Sequence, residues 1–458
     1  MIENDAFKLL LINLFHLNPD DITNIVCTTF NKMMVLLVTL ADKHQACPYC
    51  GFTAPKIKEY VTKEITHSAL TTQKCIIKYR ARRYKCSCCG KTYYEFNPFV
   101  FKSQKISILT VHNILKDLKD FNETFTSVAR RYHVSPTSVS TIFDNHVDIG
   151  RNPLPEIINF DEVYAFKSEK SKYVCVLLDF KKQIPVDVLP NRKKEYLLNY
   201  FQKIPLEERK KVKYACSDMY EVYRDVVHKV FPSCCMLLDY FHLSQDFHRK
   251  MNEVRIKVMK GYKDNKASDE YYLLKKFNWL LFKNPEDEDK YGRLFDVERE
   301  RKYNSHFKSY MNYYDLRKKL LEINNDLTIC YSLKLELVDF YSKSTIDNAK
   351  VNLENLIRSC IDTNIDEMIA FSNNLINWKQ EIINSFTIVG TEYKVEADKG
   401  QVVVCNKKVN NAIIENRNKI VKCIKNNANG YTNWSRFRNR VMYVLDPNAT
   451  FSLEPREK

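Results

Sequence analysis

A multidomain α+β chain is what the sequence predicts, and three observations carry that expectation. The first is length: 458 residues exceed what one compact core accommodates, so two to four domains are expected. The second is a set of short apolar runs between residues 157 and 239, several ending in an acid (Asp161, Asp218, Asp239), interleaved with helical patterns. The third is a long, charged, helix-patterned block from about residue 243 to 386.

Composition narrows the class. Apolar residues make up 45% and aromatics 12%, which excludes wholesale disorder. A formal charge of +16 favours a polyanionic partner, nucleic acid or an anionic membrane surface, over a surplus of solvated lysines. Only 8 glycines occur, and neither Gly-x-Gly-x-x-Gly nor a phosphate-loop pattern is present, which argues against Gly-rich nucleotide loops. The segment Met1–Lys8 is acidic, and Leu9–Phe15 is a short apolar run interrupted by Asn13. It reads as an amphipathic helix, and no stretch approaches the length of a membrane span. A cytoplasmic protein is expected. Its 15 cysteines then read as core residues or metal ligands rather than disulfides.

After an N-terminal helical segment expected over 1–43, a zinc-ribbon domain is expected over 44–97. Cys47-Pro-Tyr-Cys50 and Cys86-Ser-Cys-Cys89 are each followed by glycine, Gly51 and Gly90. Two residues between thiolates let the backbone turn so that both sulfurs meet one ion, and glycine frees the next position. Zn2+ held by Cys47, Cys50, Cys86 and Cys89 would supply folding energy that so small a module cannot gain by burial. Cys88 is an alternative to Cys86 or Cys89, and Cys75 is a spare candidate. The strip Lys78–Lys85 interleaves basic and aromatic residues. It suits phosphates and bases, and it equally suits a strand with one wet face.

A helix-turn-helix domain is expected over 98–150. An amphipathic helix near Ile106–Leu118 is followed by Phe125–Phe143, in which Val128, Ala129 and Tyr132 mark one helical face. Ser135 before Pro136 is an N-cap hydroxyl with proline at the first helical position, and Val139, Ile142 and Phe143 mark the next core face. The second helix would present Thr137, Ser138 and Ser140 to base edges, with Arg130 and Arg131 suited to phosphates.

Pro153 and Pro155 punctuate a boundary, after which a catalytic core is expected over 151–250. Ile157–Val163, Tyr173–Asp179 and Ile184–Leu189 form an antiparallel meander, with turns around Ser168–Ser171 and Lys181–Gln183. A helix at Lys194–Ile204, a strand at Val212–Asp218, a helix at Glu221–Val230 and a strand at Cys234–Asp239 follow. The order β-β-β-α-β-α-β is that of a ribonuclease-H-like fold, in which the fourth strand lies beside the first. Asp161 and Asp218 would then be neighbours, repelling each other until a cation such as Mg2+ (or Mn2+) neutralises them. A helical insertion is expected over 251–404, its last part (Thr387–Val404) leaning to β. A closing helix at Asn410–Asn426 within 405–445 brings Glu415, Asn418, Lys419 and Lys422 to one face and Ile413, Ile420 and Ile424 to another. Residues 446–458 read as a tail.

These blocks together resemble the DDE transposases of bacterial insertion sequences, specifically the ISL-three type, over nearly the whole chain. The cysteine knuckles are similar to its zinc-binding head and Phe125–Phe143 to its helix-turn-helix. Asp161-Glu162, Ser217-Asp218-Met219 with Tyr223, Asp239-Tyr-Phe-His242 and Asn411–Asn418 with Phe437–Arg440 are similar to its acidic segments. The resemblance implies a metal-binding catalytic triad of Asp161, Asp218 and Glu415. It implies supporting roles for Asp239 and His242, although His242 reads equally as a satisfied structural histidine. It implies DNA contacts from the closing helix, cleavage at terminal inverted repeats, strand transfer to target double-stranded DNA, and at least a homodimer on DNA. The family usually has glycine where this chain has Ala412 and Asn416. A transposase-derived DNA-binding regulator and a structure-selective nuclease are the alternative readings.

Overall fold

The structure is a computed structural model that describes residues 2–43, 45–53, 55–68, 73–101, 104–166, 171–395 and 402–456. Helix α1 (Ile2–Leu14) lies on strands β1 (Ile22–Phe30) and β2 (Met33–Leu40). Asn31 and Lys32 between them take φ of +49° and +60°, the left-handed pair that closes a two-residue hairpin. Strands β3 (Lys56–Thr66), β4 (Cys75–Lys85) and β5 (Thr92–Tyr94) complete one sheet, ordered β1-β2-β4-β3 with β5 on β4. Ile12 of α1 and Phe15 just past its end pack on Leu36, Val38, Ile77 and Phe99. The expectation of a helical segment over 1–43 is therefore corrected. Only its first third is helical, because Ile22–Leu40 is a β-branched and apolar hairpin that buries one face against α1.

Helices α2 (Ile108–Asp117), α3 (Phe125–Arg131) and α4 (Pro136–His146) follow. Ser135 caps α4, accepting from the Ser138 amide at 3.0 Å, and Thr124 caps α3 in a reciprocal box with Ser127. Val111, Ile114, Leu118, Val128, Val139 and Phe143 form their common core.

The central sheet comprises β6 (Ile157–Val163), β7 (Val174–Asp179), β8 (Pro185–Leu189), β9 (Tyr214–Ser217) and β10 (Cys235–Leu238). Its order is β10-β9-β6-β7-β8, with β6–β7–β8 antiparallel and β9 and β10 parallel to β6. Residues 168–170 of the expected turn lie outside the described residues. Helices α5 (Lys194–Gln202) and α7 (Glu221–Val230), with α6 (Leu206–Arg209) between them, cover one face through Phe160, Leu177, Phe201, Val226 and Val230. Helices α15 (Ala412–Asn427) and α16 (Trp434–Leu445) cover the other through Val163, Val176, Ile414, Val421 and Phe437. On α15 the buried stripe is Ile414, Asn418, Val421 and Ile424, with Ile413 and Ile420 flanking it. The inward face is therefore turned from the one expected, and Asn418 points at the sheet.

Between β10 and α15 stands the helical block: α8 (Tyr240–Lys260), α9 (Asp269–Lys276), α10 (Tyr313–Glu322), α11 (Asn325–Lys343), α12 (Ala349–Asp362), α13 (Asp366–Asn377) and α14 (Lys379–Asn384). It has its own core, built on Leu243, Phe247, Met251, Leu337, Phe371 and Leu375. Its first helix begins directly at the end of β10, so the boundary expected between 250 and 251 falls inside α8. The β-leaning text after residue 387 is a hairpin of Ile388–Val395 with Val402–Lys408.

Helix α16 also binds the α2–α4 unit to the central sheet. Arg440, 1% exposed, donates to the carbonyls of Asp120 and Glu123, both at 2.8 Å. Arg436 pairs with Asp144, Arg438 with Asp187, and the Tyr443 hydroxyl donates to the Leu115 carbonyl at 3.0 Å. The expected tail contributes too: Arg456 pairs with Asp148, and Lys119 donates to the carbonyls of Asp446 and Ala449. Replacing Arg440 by methionine keeps the bulk but leaves two buried carbonyls unpaired, costing about 2–4 kcal/mol. Scanning calorimetry should then show the helix-turn-helix melting ahead of the core; one transition at an unchanged midpoint would mean that the clamp carries no coupling.

Candidate active site

Period-two alternation decides what β6 offers to each face. Ile158 and Phe160 enter the core under α5 and α7, so Asn159, Asp161 and Val163 face α15 and α16. Asp161 accepts from the Asn418 side-chain amide of α15 at 2.8 Å. Asn159 donates to Asn411 Oδ1 at 2.7 Å and to the Asn410 carbonyl at 2.8 Å, fixing where α15 begins. Glu162 points the other way, held by Arg192 and by the Tyr223 hydroxyl at 3.1 Å. Arg192 is itself sandwiched between the rings of Tyr173 and Tyr220, at 4.6 and 4.8 Å.

Four elements deliver acids to one place. Asp161 lies on β6, Asp218 one residue past β9, Asp239 at the junction of β10 and α8, and Glu415 in the first turn of α15. The parallel pairing of β9 with β6 brings the ends of those strands together. His242, in the first turn of α8, has Nε2 3.8 Å from Asp239 and 3.7 Å from Glu415. The ligand atoms of Asp239, His242 and Glu415 all lie within 4.8 Å of one another. Asp239 also accepts from the Asn411 amide at 3.4 Å.

Burial pushes the Asp161 carboxyl up to about 7. The charge of Asp218 adds to the rise, His242 and the Asn418 amide oppose it, and Glu415 adds again. Burial likewise raises Asp218, with His242 and Arg192 opposing the rise. Asp239 is raised by burial too, with His242 and the Asn411 amide opposing and Glu415 reinforcing. Among the described residues, Asp218 Oδ1, Asp239 Oδ2 and His242 Nε2 are buried atoms with no hydrogen-bond partner. Unsatisfied buried carboxylate oxygens suit a hard divalent cation; of the acids, Asp239 and Glu415 join His242 in the close ligand group, whereas Asp161 and Asp218 stand outside it and interact with His242 electrostatically.

Further out, the four candidate cysteines meet. Cys47 Sγ lies 3.7 Å from Cys89 Sγ, Cys50 Sγ lies 3.5 Å from Cys86 Sγ, and all four fall within 4.8 Å of one another. Each knuckle closes by a hydrogen bond from the glycine amide to the first cysteine's carbonyl, Gly51 to Cys47 at 2.8 Å and Gly90 to Cys86 at 3.0 Å. Both glycines take positive φ, +74° and +70°, which a Cβ would strain. Cys88 stays outside the cluster, and Cys75 is buried in the core of the N-terminal sheet.

The residues expected to meet DNA fall into two groups. Arg130, Thr137, Lys419 and Lys422 are exposed, and Ser138 and Ser140 half-buried. Ser138 is engaged with the cap of α4 through Ser135 at 2.8 Å, and Ser140 donates to the Thr137 carbonyl at 3.0 Å. Arg131 is bound by both Asp117 and Glu123, so its charge is spent inside the domain. The strip Lys78–Lys85 is mostly paired as well: Lys78 with Glu64, Arg82 with Glu95 and Arg83 with Glu59. Sequence reasoning placed Asn418 beside Glu415 but missed that it orients Asp161. It also missed Arg192, which carries no pattern of its own. Ala412 and Asn416 are both exposed, and Asn416 accepts from Lys419 at 3.1 Å, so neither position needs glycine for packing within the chain.

Two outcomes follow from this geometry. The folded protein holds the Asp161 proton more tightly than the unfolded chain, where it titrates near about 4. Metal-free protein should therefore lose stability, on the order of a few kcal/mol, as pH rises from about 4 to about 7, levelling off above. Urea titrations across that range check it, and Asp161→Asn should flatten the dependence. For the cysteines, Cys47→Ser should abolish the one zinc per chain expected by elemental analysis and lower the melting point of the N-terminal domain. Full zinc content in that variant would refute the site.

Among the described residues, no helix is long and apolar enough to cross a membrane. Compared with known proteins, residues 158–397 match the model of a transposase family, the DDE type of ISL3 elements. The matched segment contains Asp161, Asp218, Asp239 and His242 and stops short of Glu415. The chain is also 19% identical over 409 residues to the transposase for insertion sequence element IS1001 of Bordetella parapertussis, covering 89% of this chain and 90% of that protein. With more than half its length inside the family match, the chain belongs to the ISL3-type DDE transposases, metal-dependent enzymes that cut and transfer DNA.

Proposed function

We propose that the enzyme binds the terminal inverted repeats of its insertion sequence and cuts and rejoins DNA through Asp161, Asp218 and Glu415, which hold Mg2+ (or Mn2+). One observation carries the reading: acids from four elements lie near enough to interact electrostatically, and buried oxygens of Asp218 and Asp239 have no hydrogen-bond partner among the described residues. The sheet order β10-β9-β6-β7-β8 supports a ribonuclease-H-like core interrupted by the helical block. The cysteine cluster supports a zinc ribbon, and the capped α3–α4 pair a helix-turn-helix.

When bound, the divalent ion would activate an attacking oxygen and stabilise the leaving one. The chain's own residues do the rest. Asn418 at Oδ2 and the Glu162 amide at Oδ1 fix the rotamer of Asp161 before any ion arrives. Arg192 and Tyr223 hold Glu162 on the opposite face of the strand, away from the acids. His242 shares its polarity between Asp239 and Glu415, softening their repulsion. Thr137, Ser138 and Ser140 would meet base edges, while Arg130, Lys419 and Lys422 would meet phosphates. Two element ends are handled together, which requires at least a dimer on DNA in the cytoplasm.

The close grouping of Asp239, His242 and Glu415 favours a second assignment, in which Asp239 is itself a ligand rather than a support. The tests separate the two. Asp161→Asn and Asp218→Asn should each lower Mg2+-dependent cleavage of the element's end by on the order of a thousandfold, several kcal/mol of barrier, and leave binding intact. Undiminished cleavage by both variants would overturn the proposal. Asp239→Asn should cost as much only if Asp239 is a ligand.

A further inference from the structure

A cleft of about 400 Å3 lies away from the acids, where the α2–α4 unit meets the turn between α15 and α16. Thr126 and Arg130 form one wall, Asn427, Asn429 and Asn433 the other, with Tyr431 at the side. Each of these side chains carries a hydrogen-bonding group; of the two cations lining the cleft, Arg436 is paired with Asp144, whereas Arg130 is exposed and forms no ion pair among the described residues. That sets it apart from its neighbours Arg131, Arg436 and Arg440, each of which is bound within the protein. The backbone at Asn429 and Gly430 is left-handed, φ +54° and +99°, which turns the chain tightly around the cleft.

The walls belong to different domains but do not need to be assembled. Arg440 ties α16 to the carbonyls of Asp120 and Glu123, and Arg436 ties it to Asp144. A cleft fixed in advance avoids the ordering cost that two mobile walls would incur on binding. Its chemistry, one unpaired guanidinium with amide and hydroxyl donors, fits the oxygens of a single phosphodiester; the same groups also read base edges, and the salt slope in the test below separates the two.

We propose that this cleft holds one backbone phosphate of the element's DNA and so sets the distance from the sequence being read to the bond being cut. The proposal rests on the DNA-cleaving reading above and adds a ruler to it. Helix α15 runs from Glu415 in the acidic site to the cleft at Asn427–Gly430, with Lys419 and Lys422 exposed along it. The twelve-residue rise from Glu415 to Asn427, the last residue of α15, spans roughly 18 Å at about 1.5 Å per residue. With the duplex alongside α15, that places the held phosphate about five base-pair steps, at about 3.4 Å each, from the scissile bond.

The test uses the full-length protein and duplexes carrying the element's own end, each with one neutral methylphosphonate at a stepped position. In the unmodified protein, neutralising the phosphate about five steps inside the cut should weaken binding, and Arg130→Gln should remove that sensitivity. R130Q should also bind every duplex more weakly and lower the slope of log affinity against log salt by about one. Asn427→Asp, which adds an anion to the cleft, should weaken binding in the same way, and Arg130→Lys should restore most of it. R130Q with unchanged affinity and slope would overturn the proposal, as would a loss confined to the element's sequence with the slope unchanged, since Arg130 would then be reading a base. Metal-dependent cleavage by the unmodified protein is scored in parallel. Cleavage without the phosphate effect refutes the ruler alone, whereas absence of cleavage refutes the catalytic reading.

Discussion

Carboxylates brought together out of water repel one another, and the architecture around Asp161, Asp218, Asp239 and Glu415 exists under that constraint. Burial raises the first three, and the cations at hand, His242 and Arg192, offset the rise only in part. Left to themselves these groups would move apart or take up protons. They are kept in place because each sits on an element anchored elsewhere: β6 and β9 in the core under α5 and α7, α8 in the helical block, α15 on the opposite face of the sheet. Strain at the site is thus carried by three separate cores. A divalent cation is the natural complement to such an arrangement, since it turns the repulsion into binding energy.

Placement is fixed on the far side of α16 as well. Arg436, Arg438 and Arg440 alternate along one turn of α16, the first and third reaching the α2–α4 unit and the second the central sheet at Asp187. Polar contacts fix distances more sharply than apolar ones, and because α16 also packs on the sheet through Phe437 and Val441, one helix joins the α2–α4 unit to the sheet that carries the acids. The exposed Ala412 and Asn416 do not disturb this frame.

What the sequence displays is what local physics determines. Ile157–Val163 and Glu221–Val230 are found at the expected bounds because period-two and period-3.6 patterns are written in consecutive residues. The Ser135–Pro136 start of α4 and the glycines of both cysteine knuckles are equally local. Tertiary pairings are a different matter. Asn418 and Asp161 lie 257 positions apart, and nothing near either announces the other. Arg130 and Arg131 are adjacent and chemically identical, yet one is exposed and the other is taken up by Asp117 and Glu123, because one residue turns a helix by about 100°. Residues 22–40 were misjudged for a related reason: their strand pattern was overshadowed by the amphipathic helix before it, and only the shared sheet with β4 makes the hairpin's burial plain.

The central claim, that the acids form a cation site rather than a cluster of protonated carboxyls, is open to a direct measurement. Mn2+ titrated into the protein at pH 8 can be followed by electron paramagnetic resonance, with free and bound ion counted separately. The account predicts saturable Mn2+ binding to the unmodified chain that is lost in an Asp161→Asn/Asp218→Asn double variant whose fold and DNA binding persist. Equal Mn2+ binding by the two proteins would contradict it.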